Sequence, residues 1–255
     1  MIPHLFRRRR PSSIPSAPSE VPTGSRVYAV GDIHGCLGLL RTLHERIAGD
    51  AERHPGRRHV IVYLGDYVDR GLDSRGVIDL LLAEPLAGFE RIHIKGNHED
   101  TVLRFLEDEQ VGPGWLTYGG APTLYSYGIQ PPDSAADANG LVRARRELAQ
   151  KLPPDHLAFL RDLVLTHEEG GYLFVHAGLR PAVPLESQDP EDLMWIRDEF
   201  LRSDDDFGRI VVHGHSITDE PEVRANRIGI DTGAFASGRL TCLVLDGATR
   251  SIIST

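Results

Sequence analysis

The sequence predicts an α/β fold in which two packed mixed β-sheets are flanked by helices, and three observations indicate it. Short apolar runs alternate with amphipathic helical segments in the amino-terminal half, which is typical of βαβ units and a mainly parallel sheet. Each of these runs ends in Gly-Asp or Gly-Asn, at the strand ends where ligands of α/β folds gather. The carboxyl-terminal third is rich in strand-like runs, which favours a second sheet with antiparallel pairing.

Three strand–helix pairs follow one another from residue 25 onward. The strand-like runs are RVYAVGD, RHVIVYLGD and ERIHIKGN, and the helical segments after them are LGLLRTLHERIAGD, SRGVIDLLLAE and EDTVLRFLED. Apolar residues recur at helical spacing in the second set, whereas the first set has the short apolar runs of buried strands. These segments predict the parallel part of the first sheet.

The regular alternation stops between residues 107 and 154. The stretch EQVGPGWLTYGGAPTLYSYGIQPPDSAADANG is rich in Gly, Pro and aromatic residues, and the helical stretch LVRARRELAQ follows it. An irregular surface insertion and a substrate-recognition cap are both consistent with this composition.

Strand-like runs dominate the last third, with one helix-like segment, DPEDLMWIRDEFL, among GGYLFVHAG, GRIVVHGHS, NRIGIDTGA and GRLTCLVLDG. Neither a repeat nor a linker is visible in residues 25–255, so we expect one domain there, with the insertion at about 107–154. Residues 1–24 contain an Arg-, Pro- and Ser-rich segment without an apolar period, which predicts a flexible tail.

Composition and charge exclude several classes of protein. The chain has 255 residues, of which 40% are hydrophobic and 25% charged, an ordinary balance for a globular protein, and no apolar run is long enough to span a membrane. The only cysteines, Cys36 and Cys242, argue against a disulfide scaffold and a thiolate metal site, so we expect a cytoplasmic protein. Residues 25–255 carry 24 basic and 36 acidic residues, which argues against dedicated nucleic-acid binding. Lys95 and Lys151 lie outside any P-loop frame.

Polar side chains of complementary chemistry stand at the ends of five strand-like runs. One such histidine alone is more often structural than a ligand, but together they offer carboxylates, imidazoles and an amide without thiolates, a set that suits Mn, Fe, Zn or Mg. A carboxylate can bridge two cations, so the set predicts a dinuclear hydrolytic site. Its members are Asp32, His34, Asp66, Asp69, Arg70, Asn97, His98, Glu99, His176, His213 and His215.

The blocks GDIHG, GDYVDRG, GNHE, HAG and GHS, in this order, resemble those of the calcineurin-like metallophosphoesterases. They are most similar to the bacterial serine/threonine protein phosphatase branch, which includes the phage lambda phosphatase. The resemblance covers roughly Arg26 to Asp246 and is weakest in the insertion. It implies the metallophosphoesterase architecture and a phosphomonoesterase that hydrolyses phosphoserine and phosphothreonine in proteins by direct attack of a metal-bridging hydroxide.

The resemblance also implies two divalent cations, Mn²⁺ in the first place, with Fe, Zn or Mg as alternatives. The implied ligands are Asp32 and His34 for the first metal, Asp66 as the bridge, and Asn97, His176 and His215 for the second. His213 is a rival to His215, because two residues apart on a strand they point to the same side. The GHS block matches the family's ligand at His215.

Four further residues are implied to act on the substrate. Arg70 and Arg197 would clamp the phosphate oxygens with their planar guanidinium groups, although Arg197 could instead be a helix-surface arginine paired with an acid. His98 would be the general acid for the leaving oxygen, with Asp69 orienting its imidazole.

Other conspicuous residues are interpreted as structural. Trp115 and Trp195 are expected to be packing residues, Glu99 a helix-start acid and Cys36 a small core residue. Asp231, in the family-like block IDTGA, is expected to be a supporting or structural acid and not a ligand.

Three other functions are weighed against the protein phosphatase. A symmetrical bis(5'-nucleosyl)-tetraphosphatase has similar blocks but commonly lacks the acid at Asp69, and a broad small-molecule phosphatase also remains open. A non-catalytic, metal-stabilised interaction module is disfavoured by the complete set of ligands with His98 and both arginines. The expected partner is a phosphoprotein or phosphopeptide, with a nucleotide as the alternative and no membrane; the oligomeric state is not indicated.

Overall fold

A computed structural model describes residues 19–83 and 86–255. The strands within these ranges are β1 (Ser25–Val30), β2 (Arg58–Tyr63), β3 (Glu90–His93), β4 (Thr166–Glu169), β5 (Tyr172–Val175), β6 (Ile210–His213), β7 (Glu222–Val223), β8 (Arg227–Gly229), β9 (Thr241–Asp246) and β10 (Thr249–Ser254). The helices are α1 (Leu37–Glu52), α2 (Ser74–Leu82), α3 (Asn97–Glu107), α4 (Gly112–Thr117), α5 (Ala121–Ser126), α6 (Ala138–Lys151), α7 (Pro154–Asp162), α8 (Pro190–Trp195), α9 (Asp198–Leu201) and α10 (Ala234–Ser237). Over the same ranges, no helix has both the length and the apolar character needed to cross a bilayer.

The strands form two five-stranded sheets, which confirms the predicted fold class. The first sheet has the order β10-β9-β1-β2-β3, with β1, β2 and β3 parallel and β9 and β10 antiparallel to their neighbours. The second has the order β4-β5-β6-β8-β7, in which β5, β6 and β8 are parallel and the outer strands β4 and β7 are antiparallel. Antiparallel pairing is therefore confined to the outer positions of the second sheet.

The prediction that GRLTCLVLDG joins the second sheet is wrong, because β9 pairs with β1 in the first sheet. Its side chains alternate between the two sides of that sheet. Leu243 and Leu245 pack between the sheets, whereas Cys242 and Val244 join the core under the helices. A strand buried on both faces fits beside β1, in the interior of the first sheet.

The space between the sheets is filled mainly by aliphatic side chains, with Tyr172 and Phe174 among them. Val27 and Ala29 of β1 face the second sheet, and Tyr28 and Val30 face the helices on the other side, as the period of a strand requires. A separate apolar cluster around Phe200 covers the outer face of the second sheet. The central strands of both sheets are thus buried on both faces, and the loops at one end of the sheets are free to carry the site.

The predicted flexible tail lies partly outside the described residues, which begin at Ser19. Within 19–24, the side chain of Val21 is buried and its amide donates a hydrogen bond of 3.2 Å to the Gly247 carbonyl. The Gly171 amide donates to the Glu20 carbonyl at 2.8 Å. The predicted boundary at residue 24 is therefore too late, because Val21 completes the apolar layer between the sheets.

The insertion at about 107–154 is helical, so the interpretation as an irregular segment is wrong. A 3₁₀ turn (Glu109–Val111) leads into α4, and α5 and α6 follow. α4 and α5 each have proline in the first turn, where its missing amide hydrogen costs no helical hydrogen bond. Gly and Pro in this stretch therefore start short helices, which pack against α2 and α3.

Candidate active site

Asp66, in the loop after β2, lies at the centre of the predicted constellation. One of its carboxylate oxygens, Oδ2, is 3.4 Å from His34 Nε2 and 3.8 Å from His98 Nε2. The other oxygen, Oδ1, is 3.5 Å from His176 Nε2. The two oxygens of one buried carboxylate thus face different sets of imidazoles, as the predicted bridging role requires.

The second set of ligand candidates converges on His176, which follows β5. Its Nε2 lies 2.9 Å from Asn97 Oδ1 and 3.2 Å from His215 Nδ1. Two groups of ligand atoms could each hold a cation, and Asp66 belongs to both. The first group consists of His34, Asp66 and His98, and the second of Asp66, His176 and His215. The first group contains His98 in addition to the predicted His34. It does not include Asp32, the other predicted ligand of this position. The Asp32 carboxylate accepts the His215 amide at 3.1 and 3.2 Å.

The imidazoles are prepared to act as neutral ligands. His34 Nδ1 donates to the Val68 carbonyl and His176 Nδ1 to the Leu64 carbonyl, each at 2.8 Å, which leaves Nε2 with a free lone pair. Burial lowers the pKa of His34 to about 3 and that of His215 to about 2. The Nε2 atom of His34 is buried and has no hydrogen-bond partner in the described part of the chain. This orphaned acceptor fits a bound cation.

Three buried carboxylates reinforce this conclusion. Burial and the charges of Asp231 and Asp66 raise the pKa of Asp32 well above its ordinary value. Burial alone would raise the pKa of Asp66 too, but the imidazoles of His176, His98 and His34 hold it below its usual range. Neighbouring buried carboxylates repel one another when both are ionised, unless a cation lies between them. The donor set therefore fits divalent metal ions.

His98, the second residue of α3, is tied to Asp69 through one ring nitrogen. Its Nδ1 donates to Asp69 Oδ2 at 2.6 Å, and both side chains are buried. Burial would lower the pKa of His98, but the Asp66 and Asp69 carboxylates raise it to about 9. The other ring nitrogen, Nε2, lies 3.2 Å from Arg70 Nη2. The His98 imidazole and the Arg70 guanidinium thus lie next to each other.

The two predicted phosphate clamps lie in different surroundings. The Arg70 guanidinium lies 4.8 Å from the ring centroid of Phe235, whose ring also meets the ring of His34 edge-on at 5.4 Å. Arg197 is exposed and lowers the pKa of His176 and His215 through its charge, after the larger effect of burial. It occupies the joint between α8 and α9, so the predicted single helix is broken there, and Arg197 is not a helix-surface residue.

Backbone strain is concentrated at this site. Six non-glycine residues in the described ranges have a positive φ, and five of them are predicted site residues: His34, Asp66, Asp69, Arg70 and His215. Non-glycine residues avoid this region unless their surroundings hold them there. Two motif glycines allow the close approach, because a Cβ on Gly96 would collide with the Asp66 carboxylate and one on Gly214 with the Asp32 carboxylate.

His213 is separated from the ligands, so the expectation that it points to the same side as His215 is wrong. β6 ends at His213, and His215 has a φ of 62°, so the strand alternation does not continue between them. The His213 ring packs edge-on against Phe200 at 5.1 Å, in a small cavity of about 180 Å³ that also contains Glu222 and Arg227. His215 instead contacts His176 and the ring of Trp195.

Three residues contribute more than the sequence indicates. Glu99 caps α3 as expected, but its carboxylate also accepts the amides of Asp66, Tyr67 and Val68. Trp115 is a buried packing residue whose Nε1 also donates to Asp69 Oδ2 at 2.9 Å. Thr123, which no motif identifies, donates to Asp69 Oδ1 at 2.6 Å. Only the fold reveals it, because it lies 54 positions from Asp69 in the sequence.

Other predicted residues keep structural surroundings. Asp231 is buried and accepts the Gly233 amide at 2.9 Å through Oδ1. Cys36 is half-buried against the main core, and its Sγ lies 3.3 Å from the His34 carbonyl. Trp195, expected to be a packing residue, is instead half-buried and lines an open groove of about 630 Å³ together with Arg197.

Comparison with known proteins gives one family. Residues 25–236 match the family model described as calcineurin-like phosphoesterase. The chain is 26% identical over 236 residues to the asymmetrical bis(5'-nucleosyl)-tetraphosphatase PrpE of Anoxybacillus flavithermus. This alignment covers 84% of this chain and 88% of the relative. It is 28% identical over 231 residues to serine/threonine-protein phosphatase 2 of Salmonella typhimurium, over 84% of this chain and 90% of the relative.

Solved structures share the fold at low sequence identity. A protein proposed to be a diadenosine tetraphosphatase superposes with a TM-score of 0.62 at 22% identity, covering 92% of this chain and 98% of the other. The cold-active protein-tyrosine phosphatase of a Shewanella species superposes with a TM-score of 0.53 at 16% identity, over 96% of this chain and 88% of the other.

Proposed function

The chain belongs to the calcineurin-like phosphoesterase family, and from this premise we propose that it is a metal-dependent phosphomonoesterase acting on phosphoserine and phosphothreonine in proteins. The observation that carries the proposal is the 2.6 Å hydrogen bond between His98 and Asp69, beside the Arg70 guanidinium. A serine alkoxide is a poor leaving group, and a buried imidazolium held by a carboxylate is suited to protonate it.

The family typically binds two divalent metals, and we propose Mn²⁺ at both positions. The residues that would hold them are His34, Asp66, Asn97, His176 and His215, together with Asp32, whose carboxylate accepts the His215 amide. When bound, the cations would supply a nucleophilic hydroxide at neutral pH and polarise the phosphoryl group. The chain's own task is to keep the imidazoles neutral, which their burial favours, and to keep the Asp66 carboxylate ionised, as its lowered pKa indicates.

The remaining residues act on the substrate's phosphate and leaving group. Arg70 and Arg197 would bind phosphoryl oxygens and offset the charge spread over them in the transition state. His98 Nε2 would deliver its proton to the leaving oxygen, while Asp69 keeps the proton on Nδ1 and orients the ring. The phosphoryl group is transferred to water without a phosphoenzyme.

A second candidate function is the asymmetrical hydrolysis of bis(5'-nucleosyl) tetraphosphates, for which relatives are named. An aromatic rim beside the site favours it. Phe235 is 39% exposed next to Arg70, and Tyr118, 59% exposed, precedes the Gly119 carbonyl that accepts the Arg70 amide. Both rings could stack on a nucleobase. The symmetrical reaction considered from the sequence is not the one named for these relatives.

The test is a parallel assay of a phosphoserine peptide and diadenosine tetraphosphate, after chelation and reloading with Mn²⁺. We expect chelation to abolish turnover and Mn²⁺ to restore it better than Ca²⁺, which prefers larger all-oxygen shells. The phosphopeptide should have the higher kcat/KM. A clear preference for the dinucleotide, with products ATP and AMP, would select the second function. Full activity after rigorous metal removal would exclude both.

Replacing His98 with alanine tests the general-acid role. We expect a loss in kcat of roughly 10²–10⁴-fold on phosphoserine and a clearly smaller loss on nitrophenyl phosphate, because nitrophenolate leaves without a proton. Asp69→Asn should show a milder version of the same pattern. Bound metal is measured in each variant. Equal losses on both substrates at unchanged metal content would contradict the assignment.

A further inference from the structure

Asp69 and Arg70 form a strained pair that needs support from outside its own loop. Their φ angles are 70° and 64°, two consecutive non-glycine residues in the left-handed region. Such a conformation persists only where the surroundings over-determine it. Asp69 is fully buried, so both its backbone and its carboxylate must find partners within the protein.

The partners of Asp69 are side chains that form a closed hydrogen-bond network. The Thr123 hydroxyl donates to Oδ1 at 2.6 Å, and the indole Nε1 of Trp115 donates to Oδ2 at 2.9 Å. The Asp69 amide donates to Ser74 Oγ at 3.0 Å and to Thr123 Oγ1 at 2.9 Å, and these two hydroxyls lie 2.9 Å apart. With His98 on Oδ2, each carboxylate oxygen therefore has at least one fixed donor.

The helical insertion supplies two of these partners. Trp115 lies on α4 and Thr123 on α5, and between them the Gly119 carbonyl accepts the Arg70 amide at 2.9 Å. The Trp115 ring packs on Phe105 of α3 with a centroid distance of 4.7 Å, so it also touches the helix that begins with His98. One short segment thus holds both the residue that orients the acid and the backbone of the phosphate clamp.

We propose that Thr123 and Trp115 are positioning residues that set proton transfer by His98 through Asp69. The proposal rests on the proposed function, because it requires His98 to act as the general acid. Without the Thr123 hydroxyl, Oδ1 loses its side-chain donor, and the carboxylate can rotate about its bond to Cβ. The His98 ring then loses its fixed direction toward the leaving oxygen, while the metal ligands stay in place. Loss of an outer partner of a metal-ligating histidine costs about 10–100-fold, and we expect an effect of the same order here.

The experiment uses Thr123→Val, which keeps the shape but removes the hydroxyl, and Thr123→Ser, which keeps the hydroxyl. The full-length, Mn²⁺-loaded proteins are compared on a series of aryl phosphates, from nitrophenyl phosphate to phenyl phosphate. We expect Thr123→Val to lose roughly 10–100-fold in kcat on phenyl phosphate and less on nitrophenyl phosphate. Thr123→Ser should follow the unaltered protein across the series. Trp115→Phe removes the indole donor and keeps an aromatic ring. It should also lose more kcat on phenyl phosphate than on nitrophenyl phosphate.

His98→Ala in the same series separates this inference from the proposed function. If His98→Ala loses the same factor in kcat on every substrate of the series, the acid role fails and the inference fails with it. If His98→Ala shows the dependence and Thr123→Val does not, only the inference is overturned. An equal loss in kcat on every substrate for Thr123→Val would also overturn the inference. So would a Thr123→Ser variant that has normal metal content and melting temperature but does not keep the rate of the unaltered protein.

Discussion

Arg70 and Arg197 carry the same charge but differ in how firmly the chain holds them. The Arg70 amide is bound by the Gly119 carbonyl, and its guanidinium lies over Phe235 and 3.2 Å from His98 Nε2. Arg197 is exposed at the joint between two short helices, with φ −131° and ψ −96°. Arg70 is therefore held in place before any substrate binds, whereas the exposed Arg197 would have to lose side-chain freedom in its proposed role.

This difference predicts unequal effects of two matched substitutions. Arg70→Lys keeps the charge but loses the planar fork and the contact with the ring, so we expect kcat/KM to fall by roughly 10²-fold. Arg197→Lys should cost less, about tenfold or below, mainly as a higher KM. Steady-state kinetics and inhibition by inorganic phosphate measure both.

Arg202→Lys is the control for these variants, because Arg202 is exposed on the same segment and pairs with Asp198 at 2.8 Å. It should leave both constants unchanged. A larger loss for Arg197→Lys than for Arg70→Lys would contradict the proposed division between the two arginines.

At the scale of elements, Glu99 joins the start of α3 to the loop after β2. Its carboxylate accepts the Gly96, Asp66, Tyr67 and Val68 amides at 2.9, 2.9, 2.7 and 3.2 Å. It is fully buried, and no other acid of α3 reaches the β2 loop through a described hydrogen bond. The side chain thus fixes the backbone that carries the Asp66 carboxylate, for which we propose the bridging role.

Glu99→Gln should therefore weaken metal binding more than it weakens catalysis. The amide group would turn a donor toward backbone donors, so we expect the loop to shift and Mn²⁺ affinity to fall about 10–100-fold. At saturating Mn²⁺ most of kcat should return. Metal content at limiting Mn²⁺ measures the effect, and Glu107→Gln at the exposed end of the same helix is the control. Unchanged metal affinity would show that Glu99 is only a helix cap.

Elements with a strong apolar period were predictable from the sequence, and elements defined by tertiary pairing were not. The predicted strands RVYAVGD and RHVIVYLGD correspond to β1 and β2, and the leucine-spaced segments to α1 and α2. The break at Arg197 was not visible, because nothing in DPEDLMWIRDEFL interrupts the helical period. The partner of β9 was not visible either, since β1 lies more than 200 residues away and pairing over that distance leaves no local pattern.

At the scale of the molecule, the site was predictable where it consists of motif residues at strand ends. Carboxyl ends of parallel strands meet at one edge, so Asp66, His98 and His176 could be expected near one another. The supports of those residues were not predictable. Thr123 and Trp115 act across the fold from a segment without a motif, and their contacts exist only because α4 and α5 pack beside Asp69.

A buried charge cluster lies at the other end of the first sheet, away from the site. Arg26, near the start of β1, donates to Asp50 of α1 and to Asp246 of β9, with its Nε 2.8 Å from Asp50 Oδ2. The Tyr28 hydroxyl donates to the same Asp50 oxygen at 2.9 Å. The cluster ties the first helix to two central strands, so it contributes to stability and leaves the loops at the opposite end to carry the chemistry.

We therefore expect the contribution of Asp50 to the free energy of unfolding to depend on pH. Burial would raise the pKa of Asp50, but the hydrogen bonds from Arg26 and Tyr28 lower it below its ordinary value. A carboxyl whose folded pKa is depressed stabilises the protein above the unfolded pKa of about 3.9, and this contribution is lost as pH falls through the folded pKa. Asp50→Asn should thus cost about 1–3 kcal/mol at pH 7. The difference from the unaltered protein should shrink as the pH falls below about 4.

Urea unfolding at pH 7, 5 and 3.5 measures this difference, in the presence of a chelator so that loss of metal does not add to the pH dependence. Asp133→Asn is the control, because Asp133 is exposed in the insertion. It should change the free energy of unfolding by less than about 0.5 kcal/mol at every pH. A cost of Asp50→Asn that stays constant from pH 7 to 3.5 would mean that Asp50 stabilises the fold through packing and uncharged hydrogen bonding, and not through its charge.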